Sequence, residues 1–333
     1  MKKNIAIVAG GDSSEYVVSI NSAKQVEQWV DKDRYNVYTV HLKGTEWIVN
    51  SESFCDLVVN KDDFSFSLNG QKTNFDCALI IIHGTPGEDG KLQGYFDTLH
   101  IPYTTSNTLA SAITFNKIFS KNYVKPFNIA IANYVTITKG NVIDANQILN
   151  TTGLPCFVKP NCGGSSFGIT KVKEKGELLE AIEVAFKEDD EVIIEEFLDG
   201  TELTCGLIKS AEKSYIFPPT EIVSKNEFFD YEAKYTIGMA DEITPARISD
   251  ELTREVQHLS SQIYDIFQLN GIVRVDYIYA NNTLYFIEVN TVPGMSATSI
   301  VPQQIEAAGY NPKDIFTAAI EDALNRNKRA KSK

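Results

Sequence analysis

Two neighbouring segments near the end of the chain, 272–280 and 284–290, constrain the fold more than any other feature. Each alternates apolar and polar residues, as a strand with one buried face does, and a short Asn-Asn turn separates them. The sequence therefore predicts an antiparallel hairpin. Its buried face is predicted to consist of Val273, Val275, Ile287 and Val289.

The opposite face of this predicted hairpin gathers four polar side chains. Pairing centred near residue 282 places Asp276 opposite Glu288 and Arg274 opposite Asn290. Two carboxylates that face each other repel, so the arrangement needs a cation. Oxygen ligands from Asp, Glu and Asn suit Mg²⁺ or Mn²⁺. The alternative is a solvated charged face with Arg274 as the counter-ion, and the hairpin alone does not decide between the two.

The rest of the chain alternates short apolar runs with helical patterns. Runs at 4–9, 36–42 and 77–83, with a helical pattern at 15–30, indicate a small parallel α/β domain. The Asn69-Gly70 pair predicts a type I′ hairpin turn.

A second group of patterns follows. A helical pattern covers about 107–124. The alternation over 134–198 then indicates an α+β unit whose strands are mainly antiparallel.

The bulk properties exclude several classes of protein. A formal net charge of -13 disfavours non-specific nucleic-acid binding. Glycines and an aspartate interrupt the first apolar run too early for a signal peptide, and no apolar stretch is long enough to span a bilayer, so we expect a cytoplasmic protein without membrane contact. The five cysteines are scattered, which indicates neither a disulfide framework nor a zinc site.

Glycine-rich loops provide a second, weaker indication of function. The stretch 159–168 follows a predicted strand and offers amides, hydroxyls and Lys159, which together could cover phosphates. The stretch 83–91 resembles a Walker loop, but its glycine spacing is too long and Leu92 replaces the required Ser or Thr. Gly10-Gly11 opens no dinucleotide fingerprint, which disfavours an NAD-dependent dehydrogenase.

Six separated segments together resemble the D-alanine–D-alanine ligase family, in the family's order and over essentially residues 3–325. The segments are GGDSSE at 10–15, HGTPGEDGKLQG at 83–94, GSSFG at 164–168, DYEAKY at 230–235, RVD at 274–276 and EVNTVPG at 288–294.

The resemblance implies the three-domain ATP-grasp fold, which combines α/β and α+β structure. We expect an N-terminal Rossmann-like domain over 1–105, a central subdomain with the glycine-rich loop over 106–198, and a C-terminal subdomain with a lid loop and the metal site over 199–327. Residues 328–333 form a basic tail, which we expect to be a frayed end. The resemblance also suggests a homodimer formed through the N-terminal domain.

For ATP, the resemblance implies a cleft between the middle and last domains. Its phosphates would meet Lys117, Lys159 and Lys234, and its adenine would meet Glu195 and main-chain groups of Glu196 and Leu198, with Glu202 on the ribose. Asp276, Glu288 and Asn290 match the family's metal ligands, for two Mg²⁺ or Mn²⁺ ions. Without the resemblance, Glu195 and Glu196 are more simply explained as exposed strand-edge residues.

For the two D-alanines, the resemblance implies that Glu15 holds the ammonium of the first and forms a triad with Ser165 and Tyr235, beside His83. Ser299 and the backbone near Ile300 would receive the carboxylate of the second. Arg274 and the Gly294 amide would stabilise the oxyanion formed when the second amine attacks a D-alanyl phosphate. Taken singly, Glu15 could instead be a helix-start carboxylate, and His83 the polar end of a buried strand.

The chain also departs from the family's pattern. Tyr16 stands where Arg is usual, Asn116 replaces an Asp, and Gly163 replaces a Glu, which affects positioning rather than the assigned groups. The polar and aromatic segment 224–238 is predicted to be a closing lid, with core packing as its alternative. Tyr235 favours D-alanine over D-lactate as the second substrate. Two other hypotheses are a related ligase with another acceptor, such as D-serine or D-lactate, and a nucleotide-binding protein without activity.

Overall fold

The computed structural model describes residues 2–51, 53–164, 167–224 and 240–331. The first third contains β1 (Lys3–Gly10), α1 (Tyr16–Trp29), β2 (Tyr35–Lys43), β3 (Glu46–Ser51), β4 (Phe54–Val58), β5 (Ser65–Leu68), β6 (Gln71–Asn74), β7 (Cys77–Ile80) and α2 (Lys91–Thr98). One sheet has the order β4-β3-β2-β1-β7. Strand β1 runs parallel to β2 and β7, which confirms the predicted parallel core. Strands β3 and β4, which were not predicted, extend it in antiparallel fashion.

The predicted Asn69-Gly70 turn is confirmed. It joins β5 to β6 in a separate two-stranded hairpin, and both turn residues have positive φ, 52° for Asn69 and 78° for Gly70.

The predicted helical pattern over 107–124 is confirmed, but the segment forms two helices, α3 (Thr108–Phe115) and α4 (Lys117–Val124). They are separated by Asn116, whose backbone is extended (φ -89°, ψ 110°) and forms a bridge with Cys162. The Asn116 side chain caps α4 by accepting a hydrogen bond from the Phe119 amide at 2.9 Å. The periodicity continues across this break, which is why the sequence alone did not reveal it.

The middle of the chain forms an entirely antiparallel sheet with the order β10-β9-β11-β8, as predicted. Its elements are β8 (Tyr134–Thr138), α5 (Ala145–Thr152), β9 (Cys156–Pro160), β10 (Thr170–Val172), α6 (Leu178–Ala185) and β11 (Glu191–Glu196), with short 3-10 helices at Lys125–Phe127 and Lys175–Glu177.

The last third forms a six-stranded sheet with the path β15-β14-β12-β16-β17, and β13 pairs with β12. Its elements are β12 (Thr201–Lys209), β13 (Ser214–Ile216), β14 (Thr220–Ser224), β15 (Ala240–Ile243), α7 (Asp250–Ile266), β16 (Val273–Ala280), β17 (Thr283–Asn290), α8 (Ile300–Ala307) and α9 (Pro312–Lys331). Beyond Ser224, the predicted lid lies outside the described residues.

The hairpin of β16 and β17 has the predicted pairs, Asp276 with Glu288 and Arg274 with Asn290. Its turn is one residue tighter than predicted, because only Asn281 and Asn282 lie between the paired Ala280 and Thr283. A bulge after Asp276 shifts the register and compensates for the tighter turn.

The same bulge makes one prediction wrong. Val273, Val275 and Val289 are buried as expected, but Ile287 is only partly buried and lines a cavity. Phe286, which is fully buried, takes its place in the hydrophobic layer. The bulge therefore leaves Ile287 and Glu288 both on the cavity side.

Helix α9 connects the end of the chain to its beginning. Phe316 stacks on Trp29 of α1 at 5.9 Å between ring centroids, and Glu321 accepts a hydrogen bond from the Tyr35 hydroxyl at 2.6 Å. The helix continues to Lys331, so the expected frayed end is wrong for the first residues of the tail. No helix in the described ranges is long and apolar enough to cross a membrane.

Candidate functional site

Two cavities meet at the polar face of the β16–β17 hairpin. The first, of about 250 Å³, is lined by residues that include Glu15, His83, Gly164, Gly294, Ser299 and Ile300. The second, of about 140 Å³, is lined by residues that include Lys117, Lys159, Glu195, Glu196, Leu198 and Glu202. Arg274 and Glu288 line both cavities. The two cavities therefore adjoin at these two side chains.

Arg274 is held in place by Asp276. Its Nε and one Nη donate to the two Asp276 carboxylate oxygens, each at 2.8 Å. Burial disfavours the charged guanidinium, but the charge and hydrogen bonds of Asp276, together with the charges of Glu288 and Glu242, outweigh burial and raise the pKa of Arg274 above its ordinary value. A guanidinium carries five N–H donors, so Arg274 can bind Asp276 and still donate to a ligand.

Asp276 also accepts hydrogen bonds from the Thr204 hydroxyl and from Asn290 Nδ2, the latter at 2.8 Å. Together with the two bonds from Arg274, these donors occupy both carboxylate oxygens. In this structure Arg274 is thus the counter-ion of Asp276, but the pair is largely buried and not on the solvated face of the alternative interpretation.

Glu288 meets a different cation. Its Oε2 lies 3.6 Å from Lys117 Nζ, and the same ammonium donates to the Gly163 carbonyl at 2.9 Å. Lys117 therefore ties the glycine-rich loop to the polar face of the hairpin.

Glu15, at the start of α1, lies directly against the glycine-rich loop. A Cβ atom at Gly164 would come within 2.5 Å of the Glu15 carboxylate, so a larger residue there would displace the Glu15 side chain. The structure thus brings Glu15 beside the position preceding Ser165. Ser165 itself, Lys234 and Tyr235 lie outside the described residues.

His83 is buried in the wall of the first cavity, and both of its ring nitrogens have partners. Nδ1 lies 2.7 Å from the Val292 carbonyl and Nε2 lies 3.3 Å from the Ser22 hydroxyl. A carbonyl only accepts, so Nδ1 carries the hydrogen. Burial lowers the pKa of His83, which favours the neutral ring, with Nε2 accepting from Ser22. The bond to Val292 attaches the loop after β7 to the loop after β17, and the bond to Ser22 attaches it to α1.

The predicted acceptor residues lie together at the N-terminus of α8. Ser299 immediately precedes the helix, and its Oγ is 2.8 Å from the Ser296 hydroxyl. A Cβ at Gly294 would come within 2.9 Å of Ser299 Oγ, so a larger residue there would displace the Ser299 hydroxyl. The amides of a helix start favour an anion.

The predicted adenine side of the second cavity is highly charged. Glu195 is 3% exposed, and its two oxygens form ion pairs with Lys159 at 2.6 Å and with Lys121 at 2.8 Å. The idea that Glu195 is an exposed edge residue is therefore wrong. Glu196 is bound through its side chain to the Asn133 amide at 2.7 Å, and its own amide donates to the Asn133 carbonyl.

Sequence reasoning missed three site residues: Lys121, Glu88 and Glu242. Lys121 follows Lys117 by one helical turn, a spacing that could have indicated a shared face. Glu88 lies within the segment HGTPGEDGKLQG at 83–94, and its two oxygens accept hydrogen bonds from the Gly84 and Val292 amides. Glu242 lines the first cavity and accepts a hydrogen bond from Gln303 at 3.0 Å, and no local pattern marks it.

Comparison with known proteins shows the family of the chain. Residues 4–106 match the model of the D-ala D-ala ligase N-terminus, and residues 123–321 match that of the D-ala D-ala ligase C-terminus. The D-alanine–D-alanine ligase of Parabacteroides distasonis is 53% identical over 329 residues, which cover 98% of this chain and 99% of that protein.

Solved structures give the same result. The VanG D-Ala:D-Ser ligase from Enterococcus faecalis is 32% identical with a TM-score of 0.86, covering 97% of this chain and 100% of that one. The D-alanine–D-alanine ligase from Bacillus anthracis complexed with ATP is 29% identical with a TM-score of 0.78, covering 98% and 99%. The chain therefore belongs to the D-alanine–D-alanine ligase family and has its ATP-grasp fold.

Proposed function

We propose that this chain joins two D-alanines in an ATP-dependent reaction through a D-alanyl phosphate, for peptidoglycan precursor synthesis. The observation that carries the proposal is that the two cavities share Arg274 and Glu288. ATP in the second cavity and an amino-acid carboxylate in the first would meet at this boundary.

At the nucleotide end, Lys117 and Lys159 would neutralise the phosphates, with Lys234 from the segment outside the described residues. Glu195 would accept the adenine amino group, main-chain groups of Glu196 and Leu198 would contact the adenine edge, and Glu202 would bind the ribose. The position of these groups around one cavity supports the assignment.

At the amino-acid end, Glu15 would bind the ammonium of the first D-alanine, in a triad with Ser165 and Tyr235. Ser299 and the Ile300 amide would bind the carboxylate of the second, and His83 would lie beside Glu15. The carboxylate of Glu15 and the helix start at Ser299 line the same cavity, which suits two zwitterions.

The chemistry requires activation, because an amino-acid carboxylate is a poor electrophile. A carboxylate oxygen of the first D-alanine attacks the γ-phosphorus of ATP, and ADP leaves. The neutral amine of the second D-alanine then attacks the carbonyl carbon of this acyl phosphate. Arg274 and the Gly294 amide stabilise the oxyanion, with roughly 3 to 4 kcal/mol per donor in other enzymes. The amine loses its proton, inorganic phosphate leaves and the dipeptide forms.

A divalent metal fits the polar face of the hairpin. Among the described residues, no cluster of three or more His, Cys, Asp or Glu side chains is arranged for a metal, but Asp276 and Glu288 supply two carboxylates and Asn290 an amide oxygen. Because four donors occupy Asp276, it would exchange one of them on binding. Mg²⁺ or Mn²⁺, as two ions held by Asp276, Glu288 and Asn290, would neutralise phosphate charge.

The cellular setting follows from the proposed reaction. ATP and the amino acids are cytoplasmic, so we place the protein there, as a homodimer with the three domains given above. Light scattering on the purified protein tests the dimer, since a monomeric mass contradicts it.

The central experiment measures phosphate release with Mg-ATP and no amino acid, L-alanine, D-alanine, or D-alanine plus D-lactate, with products identified by mass. D-alanine-dependent phosphate matched by dipeptide is the expected result. ATP binding without turnover would contradict the proposal and support the non-catalytic alternative.

One further acceptor belongs in the same assay. The similarity to a D-Ala:D-Ser ligase makes D-serine the second candidate acceptor. Competition between D-alanine and D-serine at equal concentration compares them directly, and a dominant mixed dipeptide would move the assignment to that ligase class.

A further inference from the structure

Lys121 is the most deeply buried lysine among the described residues. Its side chain is 1% exposed, and its ammonium lies 2.8 Å from Oε1 of Glu195. Burial of an ammonium is costly unless it is paired, and an apolar residue of similar size would often be more stable. The proposed reaction leaves Lys121 without a role.

The three charged groups differ in their access to the cavity. Glu195 and Lys159 line the second cavity, whereas Lys121 is not among its lining residues. Lys159 lies 2.6 Å from Oε2 of Glu195, at the end of a flexible side chain that can turn toward a bound phosphate. Lys121 contacts the same carboxylate from α4, behind the cavity wall.

This geometry has a consequence for nucleotide binding. When Lys159 turns to a phosphate, Glu195 loses one of its two cations. A buried carboxylate without a cation would take up a proton. Burial raises the pKa of Glu195, but the charges of Lys121 and Lys159 outweigh it and hold that pKa well below its ordinary value. After Lys159 has turned, Lys121 is the cation that remains in contact.

An ionised carboxylate only accepts hydrogen bonds, whereas a protonated one also donates. The 6-amino group of adenine donates, and the 6-oxo group of hypoxanthine accepts. We propose that Lys121 is the permanent counter-ion of Glu195, which keeps this carboxylate a pure acceptor and makes the pocket select 6-amino over 6-oxo purines. The inference rests on the proposed ATP site and makes Lys121 a positioning residue.

The test compares Lys121→Met with the wild type, using ADP, which carries adenine, and IDP, which carries hypoxanthine. Calorimetry gives both dissociation constants without any need for turnover. The wild type is expected to prefer ADP, and Lys121→Met is expected to reduce the ADP-to-IDP preference by about tenfold or more, the size of one hydrogen bond to a charged group. The KM for D-alanine should stay unchanged. Lys121→Arg should keep the preference, and Lys139→Met, at an exposed lysine, is the matched control.

A second variant keeps the inference testable if Lys121→Met does not fold. Glu195→Gln removes the carboxylate, and its amide can both accept and donate, so it should lose the base preference. Adding Lys121→Met to Glu195→Gln should then change the preference little. A folded Lys121→Met protein that keeps the wild-type preference, or losses that simply add in the double variant, would overturn the inference. Failure of the wild type to release phosphate with D-alanine, by contrast, contradicts the proposed function and leaves the binding ratios measurable.

Discussion

Glu88 accepts a hydrogen bond from the amide of Val292 at 3.0 Å, although 204 residues separate them in the chain. Its other oxygen accepts from the Gly84 amide at 2.9 Å, so one carboxylate joins the loop after β7 to the loop after β17. Burial, followed by the charge of Glu15, raises the pKa of Glu88 from 4.5 to about 8.

The raised pKa of Glu88 predicts how stability depends on pH. In the unfolded chain Glu88 ionises near pH 4.5, whereas in the folded protein it keeps its proton to about pH 8. Its contribution is therefore complete at acidic pH and is lost as the pH rises through this window, by at most about 5 kcal/mol. Thermal unfolding of the wild type and Glu88→Gln across the window should show the wild type losing stability relative to the variant. Parallel curves would contradict the prediction.

Arg274→Lys should lower kcat by about 100-fold or more, because a lysine cannot hold Asp276 with two bonds and still reach the oxyanion. The KM for ATP should change little, since the phosphates are assigned to other lysines. Steady-state kinetics with D-alanine measure both constants. Arg247→Lys, at an exposed arginine paired with Glu221, is the matched control. A rise in KM with an unchanged kcat would mean that Arg274 does not act in the chemical step.

The β16–β17 hairpin shows how far the sequence predicts the site. Period-two alternation indicated both strands and the polar face with Asp276 and Glu288, because side-chain direction in a strand depends only on local order. The bulge and the two-residue turn have no such signature, and the pairing was predicted correctly only because they compensate. Ile287 was consequently assigned to the wrong face.

Other contacts depend on segments that are distant in sequence. Lys121 and Glu195 are 74 positions apart in the chain, and their ion pair exists only because the fold brings α4 and β11 together. Periodicity indicates which side of a helix is buried, but it does not say what that side meets. The same limit explains why Glu88 and Glu242 were missed, whereas the segment-by-segment resemblance located most of the groups that line the two cavities.

Glu288→Gln should increase the Mg²⁺ concentration required for half-maximal phosphate release by about tenfold or more, because it removes one of two carboxylates from the assigned site. A Mg²⁺ titration at fixed ATP and saturating D-alanine measures this requirement. Glu306→Gln, at an exposed position of α8, should leave the titration unchanged. An unchanged midpoint in Glu288→Gln would mean that Glu288 is not a ligand.

Gly271→Ala should be the most destabilising of these changes. Gly271 has a φ of +72°, and a Cβ atom there would overlap the Thr104 carbonyl oxygen. Thr104 is itself bound to Ala78 of β7 by a backbone hydrogen bond of 3.0 Å, so neither side of this contact can move freely. The strain and the overlap together should cost about 3 kcal/mol or more.

Gly44→Ala separates the two causes, because Gly44 has a φ of +53° but nothing lies within 4 Å of a Cβ atom there. It should cost only about 1 kcal/mol, the price of the left-handed backbone alone. Thermal unfolding of both variants measures the difference. Equal shifts would mean that the approach of Gly271 to Thr104 adds nothing, and that the start of β16 is not fixed against the first sheet as the structure indicates.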